Sequence, residues 1–146
     1  MAPGIASFRV PRQPQFLTRR RVLLVDEDAR DLQYCGAVLQ EEGYEVRACE
    51  SYAQGAECLD KETYDFVVVS QGSRAFEGRF LLEQVMTVDR RLPVLVLTRC
   101  VDMNCYMEAM QLGAVDYLEK PLPPAEIVRI VETHLRPRAA AEGSAR

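Results

Sequence analysis

The sequence predicts an α/β fold, a doubly wound five-stranded parallel sheet with helices on both faces. Three observations lead there. Five strand-length runs recur along the chain, three of them continuously apolar (Val22–Val25, Phe66–Val69 and Val94–Leu97), and none is near the ~20 residues a bilayer span needs. Each run is followed by a segment with apolar residues at helical spacing. The 146 residues show no internal repeat, and 48% are hydrophobic, enough to bury one sizeable core. Strict strand–helix alternation gives parallel strands joined by right-handed crossovers, with helices covering both faces.

The first run, Val22-Leu23-Leu24-Val25, is continuous rather than alternating, as a strand buried on both faces requires. Residues 29–42 place Leu32, Cys35, Val38 and Leu39 at helical spacing, and Gly43 ends that helix. Residues 44–49 read as the second strand. Ser51 caps a helix reaching about Lys61, with Ala53, Ala56 and Leu59 facing inward. Phe66-Val67-Val68-Val69 is the third strand, the densest in β-branched residues, and a loop follows over 70–78. Residues 79–90 form the third helix on Leu81, Leu82, Val85 and Met86. Pro93 starts a fourth strand, Val94-Leu95-Val96-Leu97, and Asp102 caps a helix ending near Gly113. Residues 115–118 make a short fifth strand. Pro123-Pro124 opens the last helix, where the missing N–H groups do no harm, and its apolar face is Ile127, Val128, Ile130, Val131 and Leu135.

Outside residues 21–136 the composition changes. Residues 1–20 hold Pro3, Pro11, Pro14, four arginines and no acid, and read as a disordered basic arm. Residues 137–146 are small and Ala-rich, and read as a flexible tail. Both ends are basic, so the net charge of −4 leaves about −10 on residues 21–135. An acidic body argues against a nucleic-acid groove on the domain itself. Without a secretory apolar region or a membrane span, the expected location is the cytoplasm. The five cysteines are odd in number, lack C-x-x-C spacing, and fall mostly in apolar-periodic segments. They read as small buried hydrophobes rather than a disulfide framework or a zinc site. The lone His134 cannot build a metal site by itself.

In sheets of this kind the functional crevice lies beyond the carboxyl ends of the strands. Those ends carry Asp26-Glu27-Asp28, Ser70, Thr98 and Lys120-Pro121. Crowded carboxylates repel one another and usually hold a hard cation such as Mg²⁺ through oxygen ligands. A hydroxyl and a mobile ammonium complete an arrangement suited to phosphoryl groups.

The stretches Val22–Asp28, Tyr64–Val69, Leu92–Thr98 and Gly113–Leu122, in that order and spacing, resemble the receiver domains of bacterial two-component response regulators. The resemblance covers residues 21–136 and implies a flavodoxin-like (βα)5 fold. It also implies a role for each strand-end residue. Asp26 and Glu27 match the acid pair that binds Mg²⁺. Thr98 matches the hydroxyl that contacts the phosphoryl group, and Lys120 the lysine that pairs with it, with Lys120-Pro121 commonly a cis bond. Tyr117 matches the aromatic that swings inward on activation.

One position departs from that pattern. In the family the third strand ends in the aspartate that accepts the phosphoryl group. Counting from Tyr64-Asp65 on one side and Phe76-Glu77-Gly78 on the other puts Ser70 in that place. Asp65 lies at the wrong end of the strand, and Glu77 lies in the following loop. A serine hydroxyl is a weak nucleophile without an adjacent base. The substitution also removes a metal-ligating charge, so no cofactor is required and Mg²⁺ binds weakly at most. Two further departures accompany it. The loop Gln71-Gly72-Ser73-Arg74-Ala75 lacks the apolar and proline residues usual there, and Arg99 stands where the family generally has a small residue. The Arg99 guanidinium either obstructs the site or supplies a charge that occupies it.

These features describe a stand-alone atypical receiver, a pseudo-receiver that is not an enzyme. It is expected to act in signal transduction by phosphorylation-independent protein–protein interaction. The expected partners are signalling proteins, a histidine kinase or an output protein among them. The face built by the fourth helix, fifth strand and fifth helix is a candidate homodimer surface. No DNA-binding or catalytic segment follows residue 136, so output is expected through docking. Met103, Met107 and Met110 at i, i+4 and i+7 read as core packing rather than as a docking stripe. Two alternatives stand beside this reading. One is a receiver phosphorylated at an unusual residue, Ser70 or Glu77. The other is a small haloacid-dehalogenase-like phosphatase, since Asp26-Glu27-Asp28 has the D-x-D form, although no acidic pair follows Lys120.

Overall fold

The computed structural model describes residues 19–135, so nearly all of the basic arm and the Ala-rich tail lie outside the described residues. Ten elements alternate along the chain: β1 (Arg21–Val25), α1 (Ala29–Glu41), β2 (Glu45–Cys49), α2 (Tyr52–Lys61), β3 (Phe66–Ser70), α3 (Arg79–Val88), β4 (Val94–Thr98), α4 (Met103–Leu112), β5 (Asp116–Glu119) and α5 (Pro124–His134). The strands form one parallel sheet in the order β2-β1-β3-β4-β5. The five-stranded doubly wound sheet expected from the alternation is present.

Strand side chains alternate between faces with period 2, and the continuous apolar runs therefore feed two cores. Val22, Leu24, Phe66, Val68, Leu95 and Leu97 point to one side, where they meet Leu32 and Leu39 of α1 and Ile127, Ile130 and Val131 of α5. Leu23, Val25, Val67, Val69, Val94 and Val96 point to the other, against Leu59, Leu81, Leu82, Val85 and Ala109 of α2, α3 and α4. Every residue of β3 and β4 is buried. That explains why these runs do not alternate with polar residues.

Side-chain caps set where three helices begin. Asp28 accepts from the amides of Arg30 and Asp31, Ser51 from Gln54, and Asp102 from Asn104 and Cys105. Gly113 ends α4 in the left-handed region at φ 117°, where only glycine is unstrained. The boundaries differ from the sequence reading by a residue or two. Tyr44 bonds back to Leu39 of α1 (N···O 3.2 Å), so β2 starts at Glu45. The α3 helix stops at Val88, because the Asp89 carboxylate accepts from the Arg91 amide (3.0 Å) and turns the chain toward Pro93. The β5 strand runs one residue later than expected, although Val115 already donates to Val94 O at 2.8 Å.

This order reverses direction between β1 and β3, and in such sheets the crevice forms at that reversal. Asp26 and Ser70 are the residues the chain delivers there. Gly78 closes the loop behind Ser70, and a Cβ on it would lie 2.2 Å from the Ser70 carbonyl oxygen. Gly78→Ala is therefore expected to lower folding stability by about 1–3 kcal/mol in urea titrations, because a backbone atom cannot give way as a flexible side chain would.

Candidate functional site: an ion-paired pocket at the strand ends

Lys120 reaches back from the end of β5 into the crevice between β1 and β3. Its Nζ lies 2.7 Å from Asp26 Oδ2, 3.0 Å from Asp31 Oδ2 and 3.4 Å from Ser70 Oγ. The three charged side chains are 8%, 13% and 15% exposed for Lys120, Asp26 and Asp31, so these are contacts with little solvent screening. Asp31 lies in the first turn of α1 and was not among the residues singled out from the sequence. Arg99 grips its carboxylate with both Nε and Nη2, the first bond at 3.1 Å. Two carboxylates thus face two cations.

Burial pushes the Asp31 carboxyl up. The hydrogen bonds from Arg99 and Lys120, with their charges, outweigh it and hold the group below its ordinary value. The linkage follows with a definite sign. A carboxyl depressed in the folded state contributes stability above the ordinary carboxylate range and loses it as pH falls through the folded value. The urea midpoint should therefore drop below about pH 4. In Arg99→Ala this acid limb should be shallower, because the guanidinium that helps hold Asp31 down is gone.

The remaining strand-end residues are placed as follows. Glu27 is exposed at the rim. Asp28 Oδ1 caps α1 through the amides of Arg30 (2.9 Å) and Asp31 (3.2 Å). Thr98 is buried, with its hydroxyl accepting from the Cys100 amide at 2.8 Å. Asp65 sits at the opposite end of β3 and accepts from the Arg21 amide at 2.7 Å. Glu77 closes its loop on Ser73, through the Ser73 amide at 2.6 Å and hydroxyl at 2.8 Å. Lys120-Pro121 is cis.

Tyr117 is buried and turned inward, donating its hydroxyl to Gln71 Oε1 and accepting from the Asp102 amide at 3.1 Å. Burial pushes its phenol up, so it remains a donor. Gln71, directly after β3, was also missed in the sequence. It is fully buried, and its Nε2 donates to Ser73 O at 3.0 Å and Cys100 O at 3.2 Å. One amide thereby joins the loops after β3 and β4 to Tyr117 of β5.

The α4 methionines do not share one environment. Met110 packs against the core, whereas Met103 and Met107 are 70% and 47% exposed, beside exposed Val101 and Tyr106. The core-packing reading of the stripe is therefore corrected for two of its three residues. Helix α4 starts at Met103, and Met103 and Met107 look outward while Cys105 between them is buried.

Comparison with known proteins agrees with this geometry. The family described as "Response regulator receiver domain" matches residues 22–132. The chain belongs to that family. Among curated relatives, the receiver domain is 30% identical over 120 residues to the transcriptional regulatory protein GlrR of Escherichia coli, covering 82% of this chain and 27% of that protein. It is 31% identical over 110 residues to the alginate biosynthesis transcriptional regulatory protein AlgB of Pseudomonas aeruginosa, covering 73% and 24%. The chain thus spans about a quarter of the length of these relatives. A CheY-like receiver domain from Methanospirillum hungatei superposes with a TM-score of 0.75 at 22% identity, over 80% of this chain and 93% of that one.

Receiver domains are signalling domains that interact with kinases and output domains, and they typically bind Mg²⁺ weakly at the phosphorylation site. In this receiver domain the residues do not fit the metal. Asp26 is held by Lys120, Asp31 by Lys120 and Arg99, and β3 ends in a neutral hydroxyl. Among the described residues no group of three or more His, Cys, Asp or Glu side chains is arranged to hold a metal ion. Nor is any described helix long and apolar enough to cross a membrane.

Proposed function

We propose that this chain is an atypical receiver that does not use aspartyl phosphorylation and acts in signalling through protein–protein interaction. The observation that carries the reading is the end of β3. There a serine hydroxyl, not a carboxylate, lies 3.4 Å from Lys120, while the neighbouring acids Asp26 and Asp31 are already paired with Lys120 and Arg99. A ligand shifts a two-state equilibrium only by its differential affinity for the two states. With Ser70 in the acceptor position, no phosphoaspartate supplies that difference. Lys120 and Arg99 occupy their charges on Asp26 and Asp31 in a single arrangement. Asp26 and Glu27 then act as remnants of the metal pair, and Thr98 and Lys120 as remnants of the phosphoryl contacts. No metal is required, and no reaction is catalysed.

Tyr117 is the switch residue in this reading, held inward by Gln71. Its ring meets Tyr106 of α4 edge-on, with centroids 5.6 Å apart, which ties the pocket to the face where Val101, Met103 and Met107 are exposed. A signalling partner, whether a kinase, an output protein or a second copy, is expected to read that face.

Incubation of the full chain with a small acyl-phosphate donor and Mg²⁺ tests the reading by intact mass. The expected result is unmodified protein. A stoichiometric phosphoryl adduct at Ser70, Glu77 or elsewhere overturns it. A second experiment rebuilds the site. Ser70→Asp with Arg99→Ala restores a third acid and frees Asp31 from its guanidinium. This double variant is expected to gain Mg²⁺-dependent thermal stabilisation that the natural chain lacks, by mass action on the folded state.

A further inference from the structure

Two of the cysteines that the sequence assigns to packing lie in mutual contact. Cys49 is the last residue of β2, and Cys58 is on α2. Their Sγ atoms are 3.6 Å apart. The sheet places a third group with them. Arg47 precedes Cys49 by two positions on the edge strand β2, which puts it on the same face, and its Nε donates to Cys58 Sγ at 3.4 Å. Arg47 itself is exposed and its bond to Cys58 is part-buried, whereas the contact between the two sulfurs is buried, with Cys58 7% and Cys49 3% exposed. The two thiols are therefore unequal neighbours, one beside a guanidinium and one behind it.

We propose that Cys58 and Cys49 form a peroxide-responsive thiol pair, with Cys58 the attacking sulfur and Cys49 the resolving one. The Cys58 thiolate attacks one oxygen of a hydroperoxide. The O–O bond breaks, the departing oxygen leaves as hydroxide or alkoxide and is protonated, and Cys58 becomes a sulfenic acid. The Cys49 sulfur then bonds to the Cys58 sulfur as the S–O bond breaks. The departing hydroxide takes up the Cys49 proton and leaves as water. Two thiols are oxidised by two electrons to one disulfide, and one peroxide is reduced.

The local electrostatics agree with that division. Burial pushes the Cys58 thiol up. Hydrogen bonds from Arg47, Cys49 and Tyr64, with the Arg47 charge, outweigh burial and hold it below the ordinary thiol value. Cys49 is pushed up to about 11 by burial and by its hydrogen bond to Cys58. Disulfides that form in reducing compartments are usually transient and regulatory rather than structural. The pair also has a route to the pocket. The carbonyl of Cys49 accepts the Asp26 amide at 3.1 Å, so closing the bond acts on the backbone that carries the Lys120 partner. The site stands apart from the Ser70 reading and survives its failure.

Trypsin cleavage after Arg47 and Lys61 leaves both cysteines in one peptide, Ala48–Lys61. The full chain is treated with low hydrogen peroxide, quenched, alkylated under denaturing conditions and digested. The expected result is that this peptide loses two hydrogens, resists alkylation, and recovers both thiols on reduction. Cys35, pushed up to about 12 by burial, should stay reduced and serves as the internal control. Arg47→Ala, at an exposed position, should slow the reaction about tenfold by removing the cation that favours the thiolate. The lost cleavage site puts Cys35, Cys49 and Cys58 on one peptide, 31–61, where loss of two of three alkylation sites is read and fragmentation assigns the remaining one to Cys35. In Cys49→Ser, a dimedone adduct should appear on Cys58. The proposal is overturned if Ala48–Lys61 takes two alkyl groups while exposed Cys100 is oxidised. It is equally overturned if Cys58 runs on to the sulfinic acid without engaging Cys49.

Discussion

Lys120→Met should lower the folding stability of this domain by about 3–5 kcal/mol at neutral pH, read as a fall in urea midpoint at unchanged slope. Methionine keeps most of the apolar stem and so isolates the charge. What remains is Asp26, 13% exposed and still accepting from the Asp28 amide at 2.9 Å, and Asp31 paired with Arg99. The cost comes less from the attraction lost than from the unpaired carboxylate left behind. A second substitution separates these terms. Asp26→Asn added to Lys120→Met should recover a large part of the loss, because the amide leaves no buried charge to compensate. A double-mutant cycle would then give a coupling well above that of a surface pair. The variant also probes the pocket chemically. With its ammonium gone, Lys120→Met should be stabilised by millimolar Mg²⁺, whereas the natural chain should not respond. A loss below about 1 kcal/mol with no recovery in the double variant would mean that the ion quartet does not hold the pocket together.

The sheet and both cores were legible because continuous apolar runs admit few other placements. Period 2 then decides which core Val22 or Leu23 enters. Ser70 was legible because Tyr64-Asp65 and Phe76-Glu77-Gly78 bracket the strand end. The pocket beyond it was legible only in part. Asp31 follows the strand-end acids on a helix, where an acid reads as ordinary first-turn charge. Only the packing of α1 beside β1 aims it at Lys120. Arg99 admitted two readings from sequence, obstructing the site or supplying a charge to it, and neither foresaw its bidentate grip on Asp31 of α1. Gln71 gave one signal, a polar residue directly after a buried strand, but its partners Ser73, Cys100 and Tyr117 lie in its own loop, in the loop after β4 and on β5. Met103 and Met107 share helical spacing with Met110, and spacing alone does not fix which stripe faces the core. The contact between Cys49 and Cys58 depends on how α2 docks on an edge strand, which no local pattern encodes.

Gln71→Leu should cost about 2–3 kcal/mol and release Tyr117 from its inward position. The substitution preserves approximate volume but removes one acceptor and two donors. The Tyr117 hydroxyl then loses a buried acceptor, and the Ser73 and Cys100 carbonyls lose a part-buried donor. Tyr117→Phe should cost less, because it removes one hydroxyl and leaves the Nε2 bonds intact. The Asp102 amide would still lose its acceptor at 3.1 Å. Since the two residues share one bond, the double variant should lose less than the two singles added together. The size of the term bears on function. An advantage of about 2 kcal/mol holds two positions of a side chain at roughly 30 to 1. Removing it should bring the inward and outward positions of Tyr117 to comparable populations, seen as exchange broadening of its ring resonances and of neighbouring α4 amides. The edge contact with Tyr106 would loosen with it, and affinity for any partner that reads α4 should change in the same variant. If Gln71→Leu stays within about 0.5 kcal/mol of the natural chain and the Tyr117 ring signals remain sharp, the ring is held inward by packing alone and Gln71 is not its latch.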